Sequence, residues 1–183
     1  MGNKLLVGLG ILLLIFTIGY LGLNYYNRYM SPSAETQTQA GELTVKVEYA
    51  SPSVRDRVIF GASEEEALLP YGQYWRLGAN EPTRLTVNKD FTFGDQNIEA
   101  GSYDMYAFPA EGSIELRLNK ELRPWGMSEP NYENEVAQIT VPMEKTDSHI
   151  EEFTINAVQK GENKVQLEFL WADWRWTADV QAQ

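Results

Sequence analysis

The chain has 183 residues, no cysteine and a formal net charge of −11. Without cysteine there is no disulfide framework, thiolate metal site or cysteine nucleophile. Outside Lys4, Arg28 and Glu35 it carries 13 basic against 25 acidic side chains. That balance excludes nucleic acid, which requires clustered Lys and Arg, and argues against general attraction to an anionic membrane face.

Residues 1–4 read as a short cytoplasmic N-terminus. Leu5 to Leu23 then run without a charge, close to the roughly 20 residues needed to cross a hydrocarbon core. Tyr25, Tyr26 and Tyr29 follow as an interfacial aromatic belt. The run exceeds the 7–15 residues usual in a signal peptide's apolar core, and no small-x-small cleavage site follows it. The expectation is an uncleaved single-pass anchor in the inner membrane, with the C-terminal part in the periplasm or cell exterior. Lys4 and Arg28 flank opposite ends, so the positive-inside signal is weak. Residues 24–41 are small and polar in their second half and read as a flexible tether.

From Glu42 onward the chain reads as strands. Leu43, Val45, Val47 and Tyr49 alternate with polar residues, as on a half-buried strand. Ser63-Glu64-Glu65-Glu66 has capping-box spacing for a short helix through Leu69. Leu85 and Val87, Phe91 and Phe93, then Tyr103, Met105 and Ala107 suggest further strands. So do Ile114 to Leu118, Val136 to Val141, Phe153 to Ala157 and Val165 to Trp171. About nine short strands with turns between them predict an all-β fold over 42–183. The expected architecture is an antiparallel, jelly-roll-like β-sandwich. No long amphipathic helix is available for βαβ units.

The densest mixture of chemistry is Tyr71 to Pro82. Trp75 and Arg76 are adjacent, so an extended chain turns them to opposite faces. Gly78 permits a bend, Asn80 tolerates a left-handed conformation, and Pro82 holds Glu81 extended. Two readings stand side by side. In one, Arg76 and Glu81 pair and Asn80 caps a loop, stapling the fold. In the other, Arg76 binds an anion. Arg55 and Arg57 share one face of an extended segment and, with Arg76, would make a guanidinium clamp. Alternatively, Asp56 and neighbouring acids neutralise them.

The ordered motifs Ser51-Pro52-Ser53-Val54-Arg55, Pro70-Tyr71-Gly72, Trp75-Arg76, Gly78-Ala79-Asn80-Glu81 and Ala100-Gly101-Ser102-Tyr103 carry a resemblance, as do Asn119-Lys120 and Trp125-Gly126. Together they resemble the bacterial domain-of-unknown-function family twenty-nine-eleven, common in Bacteroidota, whose members carry an export or lipoprotein signal. The resemblance spans Glu42 to Val180 and implies a β-rich exported domain, with no activity attached. Pro82 replaces an expected small residue, and Ala62 to Leu69 reads as an insertion. The anchor stands in place of a cleaved signal.

Other chemistry is thin. No G-x-S-x-G elbow supports Ser51 or Ser53 as a nucleophile. The single His149 reads as an exposed loop residue, since a first-row metal site wants more imidazole or thiolate. Gly94 to Asn97 lacks calcium-loop ligand spacing. No metal site or cofactor is expected. Trp171 is expected in the core, and Trp174 with Trp176 on one face of a groove. Three functions follow. The first is a non-catalytic binding module for an envelope protein, glycan or small anion through Arg55, Arg57, Tyr71, Trp75, Arg76, Asn80 and Glu81. The second is an envelope-polymer hydrolase using Glu81 and Arg76. The third is a structural subunit whose anchor is itself the interface.

Overall fold

The uncharged run lies within one long helix, α1 (Gly2–Met30), in the computed structural model, which describes residues 2–183. The helix is long and apolar enough to cross a membrane, and none of its apolar window is buried. Residue 1 of the expected cytoplasmic segment lies outside the described residues; residues 2–4 are helical.

Twelve strands follow in chain order. They are β1 (Ser33–Ala40), β2 (Leu43–Ala50), β3 (Phe60–Gly61), β4 (Leu69–Pro70), β5 (Thr83–Val87) and β6 (Phe91–Phe93). Then come β7 (Gln96–Ile98), β8 (Gly101–Ala110), β9 (Ser113–Asn119), β10 (Glu135–Pro142), β11 (Glu144–Gly161) and β12 (Lys164–Ala182). One sheet has the order β1-β2-β5-β8-β9-β10 and the other β11-β12-β6-β7, with every pairing in both antiparallel. The two-residue strands β3 and β4 pair in parallel beside them. The alternation read from the sequence survives: Leu43, Val45, Val47, Leu85, Leu116, Leu118, Val165, Leu167 and Phe169 are buried in one core.

Side chains bridge the sheet edges. Thr38 Oγ1 donates to Ala157 O at 2.5 Å, and Ala157 N–H donates to Thr36 Oγ1 at 3.2 Å, tying β1 to β11. At the other edge Gln96 exchanges two bonds with the Gln138 backbone, at 3.0 and 2.7 Å. Unpaired edges invite pairing with other chains, and these contacts bridge the four edge strands of the two sheets in two pairs.

Three local expectations change. Residues 24–30 continue α1 rather than beginning a tether, and residues 33–40 pair in full register with β2, from Ser33↔Ala50 to Ala40↔Leu43. A polar edge strand has little core-facing alternation to betray it, so its order comes from the backbone ladder. The expected helix after Ser63 is a single 3₁₀ turn, Ser63–Glu65, stopped by Glu66 at φ 54°. The third change concerns the tryptophans. Val165, Leu167, Phe169 and Trp171 point inward at odd positions, whereas Trp176, Ala178 and Val180 do so at even ones. The switch is at Ala172, in a left-handed conformation at φ 54° where the β11–β12 register shifts. A bulge of this kind flips the facing of everything after it. Trp176 therefore enters the core instead of lining a groove. Trp174 is half-buried under Lys145, whose Nζ lies 3.8 Å from the ring centroid.

Candidate functional site

Trp75 fixes the position of the bend. Its backbone exchanges two 2.8 Å hydrogen bonds with Ala107 of β8, and its indole Nε1 donates to Gly78 O at 3.1 Å. The ring is 3% exposed and stacks on Trp171, centroids 5.5 Å apart, with Phe60 and Phe153 against its edges. This parity sends Arg76 the other way. The chain then turns through Leu77 at φ 55°, Gly78 at φ 151° and Asn80 at φ 58°. A Cβ on Gly78 would meet Ala50 O at 2.8 Å, so glycine is required there.

Gly126 shapes the neighbourhood of Arg76 in a second way. A Cβ there would lie 2.8 Å from Arg76 Cδ and 3.0 Å from its Cβ. The bare backbone lets the arginine stem lie flat, and Gly126 N–H donates to Asn80 O at 3.0 Å. Arg76 Nη1 donates to the same oxygen at 3.4 Å. Burial holds the Arg76 pKa below its ordinary value; Tyr74 opposes this and the nearby Arg123 cation adds to it. A guanidinium stays charged regardless, so Arg76 is a half-buried cation short of a counter-charge.

Arg55 and Arg57 come from the turn after β2. Arg55 and Asp56 both adopt left-handed backbone, at φ 51° and 56°. Arg55 Nη2 donates to Met30 O at 3.0 Å, satisfying a carbonyl left open at the end of α1. Arg57 donates to Val54 O at 2.9 Å and Ser53 O at 2.6 Å. Asp56 neutralises neither. Among the described residues, Arg28, Arg84, Arg117, Arg123 and Arg175 each have a carboxylate within 4.0 Å, and Arg55, Arg57 and Arg76 do not.

These three arginines line one cavity of about 500 Å³, with Trp75 and Trp171 at its inner side. Its other walls include Tyr26, Met30 and Ser31 from the end of α1, and Leu68, Leu69 and Met127. No carboxylate lines it, although the chain has 26.

The other candidates go elsewhere. Glu81 accepts from Arg28 Nη2 at 2.6 Å and lines a separate cavity with Glu35, Glu48, Arg84 and Arg123. The Arg76–Glu81 pair is not formed, and no acid stands beside Arg76 for acid–base work. Asn80 Nδ2 reaches Asn27 O and Ser31 O, each at 3.4 Å, at the end of α1. Tyr71 packs against the core, its N–H donating to Gly61 O at 2.9 Å. His149 is exposed as expected but sits on β11 rather than in a loop. It bonds Asp173 at 2.9 Å, which raises its pKa, with Glu151 adding a smaller effect. Among the described residues no cluster of His, Asp or Glu is arranged to hold a metal.

One polar hub escaped the sequence reading. Asp104 of β8 is fully buried and accepts from Arg84 Nε and Nη2 at 3.2 and 3.0 Å and from Arg123 N–H at 2.8 Å. Arg123 Nη2 donates in turn to the Tyr74 hydroxyl at 2.8 Å, behind the arginine-lined cavity. An acid midway along a strand whose neighbours on both sides are buried was the available signal.

The comparison with curated proteins matches none of them, and that with solved structures matches none of those. Residues 31–180 match the family described as protein of unknown function DUF2911. That span begins just before β1 and ends inside β12, covering nearly all of both sheets and the three cavity arginines but not α1, whose Tyr26 and Met30 complete the cavity wall. The chain is a member of the DUF2911 family.

Proposed function

We propose that the protein is a membrane-anchored, non-catalytic binding module of the cell envelope that takes an anionic group between Arg55, Arg57 and Arg76. The observation that carries this is the lining of one cavity by the three arginines that have no carboxylate partner, with no acid in its wall. Guanidinium forks bind carboxylate and phosphate groups bidentately, and such charge-assisted bonds are the strong ones. Burial without a counter-ion disfavours the Arg76 cation, and a bound anion relieves that cost.

Retention of the anchor has its own support. The end of α1 is fastened to the domain by Arg28–Glu81, Arg55–Met30 and the two Asn80 contacts. Cleavage between Met30 and the first strand would discard most of that joint. An N-terminus in the cytoplasm and a domain in the periplasm or exterior is the usual arrangement for one such span.

Calorimetric titration of the full chain in a neutral detergent, with pyrophosphate and with a dicarboxylate, tests the binding reading. Each lost charge-assisted bond is worth about 1.5–3 kcal/mol. Arg76→Gln should therefore weaken binding by about 10- to 100-fold while the melting temperature changes little. Equal affinity in the variant, or failure of the variant to fold, would remove Arg76 from the site.

A further inference from the structure

The cavity's position relative to α1 narrows what the anion is. Resting on the anion-binding reading above, we infer that the site takes the phosphate of a membrane lipid headgroup. The uncharged run ends at Leu23. At 1.5 Å per residue, the cavity-lining residues Tyr26 and Met30 stand about 5 and 10 Å further along the helix. A bilayer is about 30 Å thick in its hydrocarbon and 40–45 Å with headgroups, which leaves about 5–8 Å of polar layer on each side. The wall contributed by α1 thus lies at the depth of lipid phosphates and just above them.

The rim agrees with that depth. Met127 is 70% exposed and Leu68 40%, and both line the cavity. Val58, whose carbonyl accepts from Leu68 N–H at 2.8 Å, is 53% exposed beside them. Tyr25, Tyr26 and Tyr29 are exposed on the adjoining turns of α1, where amphipathic rings favour the interface. Apolar groups around a cationic pocket suit a ligand with a phosphate and acyl chains. A soluble anion would leave the same apolar side chains in water.

The net charge of −11 opposes general attraction to anionic lipid, and the C-terminal end of a helix dipole is itself unfavourable to an anion. Arg55 already answers the open Met30 carbonyl there. Each of the three guanidiniums meets only backbone carbonyls, so recognition falls on their remaining N–H groups, and it reads a phosphate rather than surface potential. Zwitterionic and anionic phospholipids should both bind.

The test is native mass spectrometry of the full chain released from dodecyl maltoside. The chain is offered phosphatidylethanolamine, phosphatidylglycerol or diacylglycerol, and in a separate arm pyrophosphate. The expected result is a one-to-one adduct with either phospholipid and none with diacylglycerol. Arg57→Gln and Arg76→Gln should each weaken the adduct about tenfold or more, whereas Lys89→Gln, which removes an exposed pair with Glu42, should not. Adducts unaffected by both arginine variants, or equal binding of diacylglycerol, would overturn the inference. Arg76-dependent binding of pyrophosphate without any phospholipid adduct would overturn it too, while leaving the anion site standing. Binding of neither class would overturn both.

Discussion

Arg76 and Asp104 show how differently two charged side chains are treated in one molecule. Asp104 is fully buried and meets two guanidiniums and a backbone N–H. Arg76 is partly buried and meets only a carbonyl. Removing one member of a buried charge network leaves the others uncompensated, at about 3–5 kcal/mol. Asp104→Ala should lower the unfolding free energy by about that much, as read by urea denaturation of the full chain in micelles. A change below about 1 kcal/mol, the scale of a surface pair, would mean that Arg84 and Arg123 find other partners. Arg76→Gln, by contrast, is expected to alter binding with little change in stability. On the proposed reading, structural and binding charges separate at this scale by whether a carboxylate is already in place.

At the scale of elements, Ala172 decides which tryptophans reach the core. Trp171 and Trp176 are both about 1% exposed and lie five residues apart, a spacing that a regular strand cannot bury on one face. Ala172→Ile places a β-branched residue that resists left-handed backbone at the bulge; a regular strand of unchanged length would turn Trp176, Ala178 and Val180 outward. Loss of a buried large aromatic alone costs about 3–5 kcal/mol. Ala172→Ile should therefore lower the melting temperature markedly and shift tryptophan emission to longer wavelength. A native-like melt and emission would show that the placement of Trp176 does not depend on the left-handed residue. This bulge was not legible in W-A-D-W-R-W, because alanine carries no mark of a left-handed backbone. The polar strand β1 was equally hidden, its partners being backbone groups of β2 and two threonine contacts. Strands with one apolar face, such as β2, β9 and the first half of β12, were legible from their period of two.

The whole molecule is a sandwich suspended from a long apolar helix, and its cavity lies where the two meet. Part of that site could be read beforehand. Adjacent Trp75 and Arg76 had to face opposite ways; Arg55 and Arg57 were expected on one face of an extended segment, which the left-handed Arg55 and Asp56 turn into a bend. What could not be read was which charges would find partners. Glu81 turned to Arg28 and Asn80 to the helix end, and both choices depend on how α1 leaves the sandwich. That arrangement also gave the cavity a wall from Tyr26 to Ser31.

On the proposed reading, the guanidiniums of Arg55, Arg57 and Arg76 take an anion supplied from outside the chain. NMR of the arginine Nε–Hε signals, recorded on the full chain in micelles during titration with pyrophosphate, examines those groups directly. Saturable shifts are expected in these three signals, while those of Arg84, Arg117 and Arg175, already paired with acids, stay in place. Uniform small shifts across all arginines, or saturation at a different set, would contradict it.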